Sequence, residues 1–384
     1  MTSPLVSQVR PLKVLQVVPA LDGGGVERGT LEVAKSLVAA GHDSQVLSAG
    51  GRMVKELETD GSRHITWNLG KKSPTTLLQV RKLRRWLAKE QFDILHVRSR
   101  MPAWIVWLAW RKLPPHIKAR CHLVSTVHGL HSVNRYSAIM TCGERVIAVS
   151  RTCREYILSN YPDTPPEKIE LIYRGVDAQA FPYGYRPEPA WLADWYRQNE
   201  RLESAFIVTL PGRLTRLKGH AGFLRVVARL KQQGVPVLGL IVGGEDPKRK
   251  DYAAEIHNTV KEMGLTQDIF FTGHRRDMKD IYAASHAVLS LSTKPESFGR
   301  TVLEALAIGT PVIGYAQGGV SEILAELYPQ GACQPNDEEA VFSGLMRLYE
   351  GALPLVKTNT VFLLEDMCKR TLALYQRLCH TAVL

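Results

Sequence analysis

The sequence predicts an α/β protein built from two doubly wound domains with a ligand cleft between them. Three observations carry this. Short, nearly continuous apolar runs alternate with amphipathic helical stretches along the whole chain, the pattern expected when helices cover both faces of a parallel sheet. The alternation breaks once, across residues 182–204, where Pro182, Pro187 and Pro189 interrupt a charged and aromatic stretch, and then it restarts. The length of 384 residues suits two domains of roughly 150–200 residues each.

In chain order, Lys13–Pro19 reads as a strand and Val26–Ala40 as a helix. Ser44–Leu47, Ile94–Val97, Leu123–Val127 and Val146–Val149 read as further strands, and Thr75–Glu90 as a basic amphipathic helix. Met101–Trp110 is apolar but ends at Arg111 and Lys112, short of the roughly 20 residues a membrane span requires. It reads as a buried helix, with Trp104, Trp107 and Trp110 leaving open a surface helix that dips into lipid head groups. Residues 182–204 form the linker, with room for one short helix. Beyond it, Phe206–Gly212, Val237–Gly243, Ile269–Thr272, Ala287–Ser292 and Pro311–Tyr315 are strands and Gly219–Gln233 a helix. Thr360–Cys379 is amphipathic and helical. The expected division is 1–185 for the first domain and 186–359 for the second, with the terminal helix (360–384) packing back on the first.

Composition narrows the class. Hydrophobic residues make up 45% and charged residues 22%, enough for two cores. The six cysteines lie at 121, 142, 153, 333, 368 and 379 with no C-x-x-C pair, which argues against structural zinc. With no export signal or spanning segment in view, the expectation is a cytoplasmic protein with reduced thiols. Most of the net charge of +12 sits between residues 71 and 120, where thirteen Lys/Arg face only Glu90 and Asp93. Such a run attracts polyanions such as phospholipid head groups and phosphorylated glycolipids, or else forms a solvated helix face. No nucleic-acid reader motif accompanies it.

Four segments carry chemistry. Gly23-Gly24-Gly25 follows the first strand and opens a helix, so its backbone can approach a phosphate. It is no dinucleotide fingerprint, because Arg28 stands where the third glycine belongs and no acid closes the second strand. His128 ends the strand Leu123–Val127, at the edge where open α/β sheets bind ligands; His131 competes with it. Arg213 and Lys218 flank a strand-to-helix turn, an arrangement that suits a diphosphate, with Arg216 read as the solvated cation. Glu296 and Glu304 stand eight apart around Ser297-Phe298-Gly299, whose amides can face an anion. Two carboxylates flanking an amide-rich turn suit a ligand with hydroxyls at both ends and phosphate between, which describes a nucleotide sugar. Paired carboxylates also serve glycoside hydrolysis, but that leaves the glycine and basic loops unexplained.

The run of GGGVE (23–27), VHG (127–129), AVS (148–150), KIELIYRGVDAQAF (168–181), GRLTRLKG (212–219), the Glu296–Glu304 element and GGVSE (318–322) resembles the retaining family 4 glycosyltransferases (glycosyltransferase group 1) of the GT-B fold. The resemblance covers nearly the whole chain. Arg174 departs from it, standing before Gly175 where many members carry Asn. It implies that Arg213 and Lys218 hold the donor diphosphate and stabilise the leaving group. Glu304 would bind the ribose and Glu296 the sugar, supported by the Phe298, Gly299, Arg300 and Thr301 amides. His128 would lie near the reacting carbon, and Gly24 and Gly25 would close over the donor. It further implies retention without a covalent enzyme intermediate, and no metal or other cofactor. The expected partners are a nucleoside-diphosphate sugar, an anionic membrane surface and a glycan or phosphorylated, lipid-linked acceptor, such as a lipopolysaccharide core met at the inner face of the cytoplasmic membrane. A GT-B sugar-nucleotide epimerase and a non-catalytic membrane-surface protein are the alternatives; the retained Arg213, Lys218, Glu296 and Glu304 argue against the second.

Overall fold

The computed structural model describes residues 10–71, 73–245 and 250–381. Lys72 of the basic run and the last three positions of the expected terminal helix lie outside the described residues. The chain divides into two units, residues 1–173 with 365–384, and residues 174–364. The division falls after Tyr173, not near residue 185. Its reason is local: Val176 N–H donates to Phe362 O (3.1 Å) and Leu364 N–H to Val176 O (3.0 Å). The segment entering the second unit is thus paired with the segment leaving it.

The first unit holds seven parallel strands: β1 (Lys13–Val17), β2 (Asp43–Ser48), β3 (Arg63–Thr66), β4 (Ile94–Val97), β5 (His122–Val127), β6 (Arg145–Ala148) and β7 (Ile169–Leu171). Their order is β3-β2-β1-β4-β5-β6-β7. Val14, Leu15, Val17, Ile94, Leu95 and Val97 are fully buried because helices cover both faces of the central strands. Burial of each such side chain contributes about 1.5–3 kcal/mol. The last helix, Leu364–Thr381, belongs to this unit. It buries Tyr375, whose hydroxyl meets His96 Nδ1 at 2.5 Å, and pairs Arg377 with Glu170 (2.7 Å). It begins at Leu364 rather than at 360, because residues 359–363 are held by Asn359, whose side chain caps Phe362 N–H (2.9 Å).

The second unit holds β8 (Phe206–Pro211), β9 (Val237–Val242), β10 (Ile269–Gly273), β11 (Ala287–Ser290), β12 (Val312–Tyr315) and β13 (Ala332–Cys333), in the order β10-β9-β8-β11-β12-β13. Phe223, Leu224 and Val227 of the helix His220–Gln232 pack with Val208, Leu210, Ile241 and Leu289 in its core. The linker expected over 182–204 is largely helix, Pro189–Gln198, starting on a proline that needs no backbone donor there. Trp195 in it is fully buried, stacked on Trp191 at 5.2 Å and packed with Ile207, Leu238 and Leu240, so the segment is part of the second core.

Two other expectations change. Thr75–Glu90 is two helices, Pro74–Leu77 and Gln79–Glu90. Leu77 and Leu78 at the break are 50% and 76% exposed, beside the exposed Arg81, Lys82 and Arg85. The basic run is also not one patch: Arg98 is buried at the end of β4, and Arg100 donates to Ser137 Oγ (3.2 Å). The helix Arg100–Trp110 is mostly buried. Trp104 Nε1 donates to Tyr136 O (3.0 Å) and Trp110 Nε1 to Cys121 O (2.6 Å), while the Arg111 guanidinium lies over the Trp107 ring. Among the described residues no helix is long and apolar enough to cross a membrane.

Candidate functional site

In an open parallel sheet, ligands bind beyond the carboxyl ends of the strands where the strand order reverses. In the second unit that point lies between β8 and β11. The turn after β8 carries Gly212 and Arg213, and the segment after β11 carries Ser292 to Glu296. Lys218 Nζ donates to Glu296 Oε1 at 2.7 Å, and Ser292 Oγ donates to the same oxygen. Burial pushes the Glu296 carboxyl up, but the Lys218 charge and hydrogen bond and the Ser292 hydroxyl more than offset it, and its pKa lies below the ordinary value. Glu296 is thus held ionised, with a cation beside it. Arg213 is exposed and makes no ion pair among the described residues, so it is free to meet an incoming anion. Arg216 pairs with Glu255 on the surface, as its solvated reading implies.

Glycine builds this turn. Gly219 adopts φ 75°, and a Cβ there would sit 2.1 Å from Leu291 O. Only a residue without a side chain lets Lys218 lie this close to the β11 segment. Across the site, Gly318 has φ 64° and a Cβ there would lie 2.3 Å from Glu296 O, while the next amide, Gly319 N–H, donates to that oxygen at 2.8 Å. Gln317 Nε2 donates to Ser292 O (2.6 Å). The two loops are therefore latched to each other through backbone groups.

Glu304 lies on the helix Arg300–Ala307, capped by Gly299. Arg300 Nε donates to Glu304 Oε1 (2.7 Å), and Tyr282 OH to Oε2 (3.4 Å). Burial first, and the Glu304 charge second, raise the Tyr282 pKa, so its hydroxyl stays a donor. Phe298 is buried against Phe362, ring centroids 5.9 Å apart, and so fixes the chain entering the helix. Thr301 follows in the first turn. The Arg300 guanidinium, and not only its amide, thus faces Glu304. Ser292, Tyr282 and Gln317 were missed by sequence reasoning; two hydroxyls and an amide on separate elements carry no spacing signal.

In the first unit, the order reverses between β1 and β4. Gly24 caps the helix Gly25–Ala39, and Gly23, Gly24 and Gly25 are exposed there. His128 directly follows β5, and its Nε2 lies 3.4 Å from Arg98 Nη1. His131, the competing histidine, is kept neutral by burial and by Arg100, with its pKa lowered to about 4.

A family model described as Glycosyltransferase Family 4 matches residues 23–180, and one described as Glycosyl transferases group 1 matches residues 194–358. This chain belongs to glycosyltransferase family 4. The two matches account for nearly all of both units, and the fold of the enzyme is GT-B. Among relatives, a D-inositol 3-phosphate glycosyltransferase from Stackebrandtia nassauensis is 26% identical over 68% of this chain and 61% of its own length. The chain thus spans under two thirds of that relative. An N-acetyl-alpha-D-glucosaminyl L-malate synthase from Bacillus anthracis is 25% identical over 86% of this chain and 85% of its own. A glycosyltransferase crystal structure from Rickettsia africae superposes with TM-score 0.78 at 28% identity, covering 96% of this chain and 99% of that one.

Proposed function

We propose that this glycosyltransferase transfers a sugar, with retention of anomeric configuration, from a nucleoside-diphosphate sugar to an anionic glycan or glycolipid acceptor of the cell envelope, such as a phosphorylated lipopolysaccharide core. The observation that carries the donor reading is the Lys218–Glu296 ion pair beside the exposed Arg213, with Glu304 held by Arg300 and Tyr282. A diphosphate would draw Lys218 and Arg213 to its oxygens and leave Glu296 to accept sugar hydroxyls. Glu304, its carboxylate fixed at both oxygens, would accept the ribose hydroxyls. The two cations stabilise charge that grows on the leaving diphosphate, which is the differential binding that catalysis requires. Because they supply that positive charge, no metal is assigned to the step. The amides of Phe298, Gly299, Arg300 and Thr301 support the donor, and Gly24, Gly25 and His128 serve the reaction from the first unit.

The anionic acceptor is supported by the basic surface of the first unit and by two relatives whose names carry an inositol phosphate and a malate. Incubation with UDP-, GDP- and ADP-linked α-sugars, without acceptor, tests donor and stereochemistry together. One of them should release its nucleoside diphosphate slowly, and the first free sugar seen by proton NMR should be the α anomer. Appearance of the β anomer first would overturn retention, and no release from any would overturn the donor reading.

The membrane reading rests on the helix Gln79–Glu90, whose Arg81, Lys82 and Arg85 stand beside the exposed Leu77 and Leu78. Changing Arg81, Lys82, Arg84 and Arg85 together to Ser should remove cosedimentation with phosphatidylglycerol vesicles at low salt, at about 1 kcal/mol per charge. Unchanged cosedimentation would rule this surface out.

A further inference from the structure

His128 is contacted by a group that can only give a proton. Arg98 directly follows β4 and is buried, donating through Nε to Gln16 Oε1 (2.9 Å) and through Nη1 to His128 Nε2 (3.4 Å). The Gln16 orientation is fixed independently, because its Nε2 donates to Thr30 O at 3.0 Å, which turns its oxygen toward Arg98. A guanidinium has five N–H donors, no acceptor, and keeps its charge in proteins. The ring nitrogen facing it must therefore offer a lone pair, and a neutral imidazole with a bare Nε2 carries its proton on Nδ1. A proton on Nε2 would set N–H against N–H and, in the imidazolium, cation against cation.

The neighbours reinforce this. His96, two residues before Arg98, lies between Tyr375 OH (2.5 Å) and Thr126 Oγ1 (2.6 Å). Burial first, then the Arg98 charge, hold His96 neutral. Burial lowers the Arg98 pKa, opposed by the Glu32 charge on the helix Gly25–Ala39 and by a hydrogen bond with Tyr375 on the last helix. A buried arginine is costly to keep, and here its guanidinium is directed at the histidine that directly follows β5.

We propose that Arg98 is a positioning residue that fixes His128 as the neutral Nδ1–H tautomer and engages its Nε2 lone pair, so that His128 does not act in the transfer as a general base through Nε2. The role in transfer rests on the reading of His128 as a site residue; the tautomer does not.

The test is nitrogen-15 NMR of the histidine rings of the full-length protein at pH 7, with His128→Gln to assign the signal. The expected spectrum shows Nδ1 protonated and Nε2 bare. In Arg98→Met the ring should be released to the other tautomer, with kcat lowered about tenfold and donor KM little changed; Arg98→Lys should restore the tautomer in part. An Nε2–H or doubly protonated ring in the unaltered protein overturns the proposal, and this readout does not depend on any variant folding. If the tautomer is as expected but His128→Gln is fully active, the tautomer assignment stands and the role of His128 in transfer falls.

Discussion

Lys218→Met lowers kcat/KM for the donor by about 10²–10³-fold, the size of effect seen when one fixed donor to a developing negative charge is removed. The thioether chain keeps the packing of the lysine stem over Gly212, so the loss isolates the charge. The same change alters the pH dependence of stability. In the intact protein the folded pKa of Glu296 is depressed, so the stabilisation from its ion pair is complete above the ordinary carboxylate pKa of about 4.3 and is lost as pH falls through the lower folded value. Without Lys218, the burial that raises the Glu296 pKa loses its main opponent. The folded state then favours the protonated acid, and the variant is penalised wherever Glu296 must be ionised. The stability gap between the two proteins should be wide at pH 7 and narrow toward pH 4. A gap of constant size across that range would show that the 2.7 Å contact contributes nothing.

Gly219→Ala destabilises the second unit by about 3–5 kcal/mol, at the upper end of single substitutions. Two costs add. A φ of 75° is left-handed, which a residue with a Cβ resists by about 1–2 kcal/mol. The added carbon would also lie 2.1 Å from Leu291 O, a backbone atom of the β11 segment that moves only by dragging Ser292 and Glu296 with it. The thermal midpoint should fall by roughly 10 °C, and donor turnover should fall with it because the Lys218–Glu296 contact is displaced. Gly264→Ala is the control: its φ of 65° is similar, but nothing lies within 4 Å of the added carbon, so only the backbone cost applies. Equal effects from the two substitutions would show that the close approach at Leu291 is not what Gly219 is for.

The central strands were legible because they are buried on both faces; Ile94–Val97 and Phe206–Pro211 are unbroken apolar runs in the sequence and strands in the fold. The strands that sequence reasoning missed are β3 and β7, at the edges of the first sheet, and the two-residue β13 at the edge of the second. Edge strands are half exposed and short, so Arg63–Thr66 reads as polar loop. Trp195 was hidden by the opposite error: the prolines before its helix and at its first residue mask a segment whose indole is fully buried. At the site, the local clues were strong, since a glycine turn with two cations and the Glu296–Glu304 spacing both follow strands. The pairing of Lys218 with Glu296 was not legible, because it joins loops 78 residues apart that only the neighbouring positions of β8 and β11 bring together. Nor was Arg98: an arginine closing an apolar strand reads as the first residue of a loop, and its burial depends on a helix that returns from the far end of the chain.

The most direct test of the donor site is a thermal shift of the purified protein with UDP, GDP, ADP and CMP, each with and without chelator, repeated with Glu304→Ala. A nucleotide at about 100 times its Kd adds roughly 2.7 kcal/mol of stability, which moves the midpoint by several degrees. The account predicts a chelator-insensitive shift with one nucleoside diphosphate, lost in Glu304→Ala. A shift that needs metal, that persists in Glu304→Ala, or that appears with none of the four would contradict it.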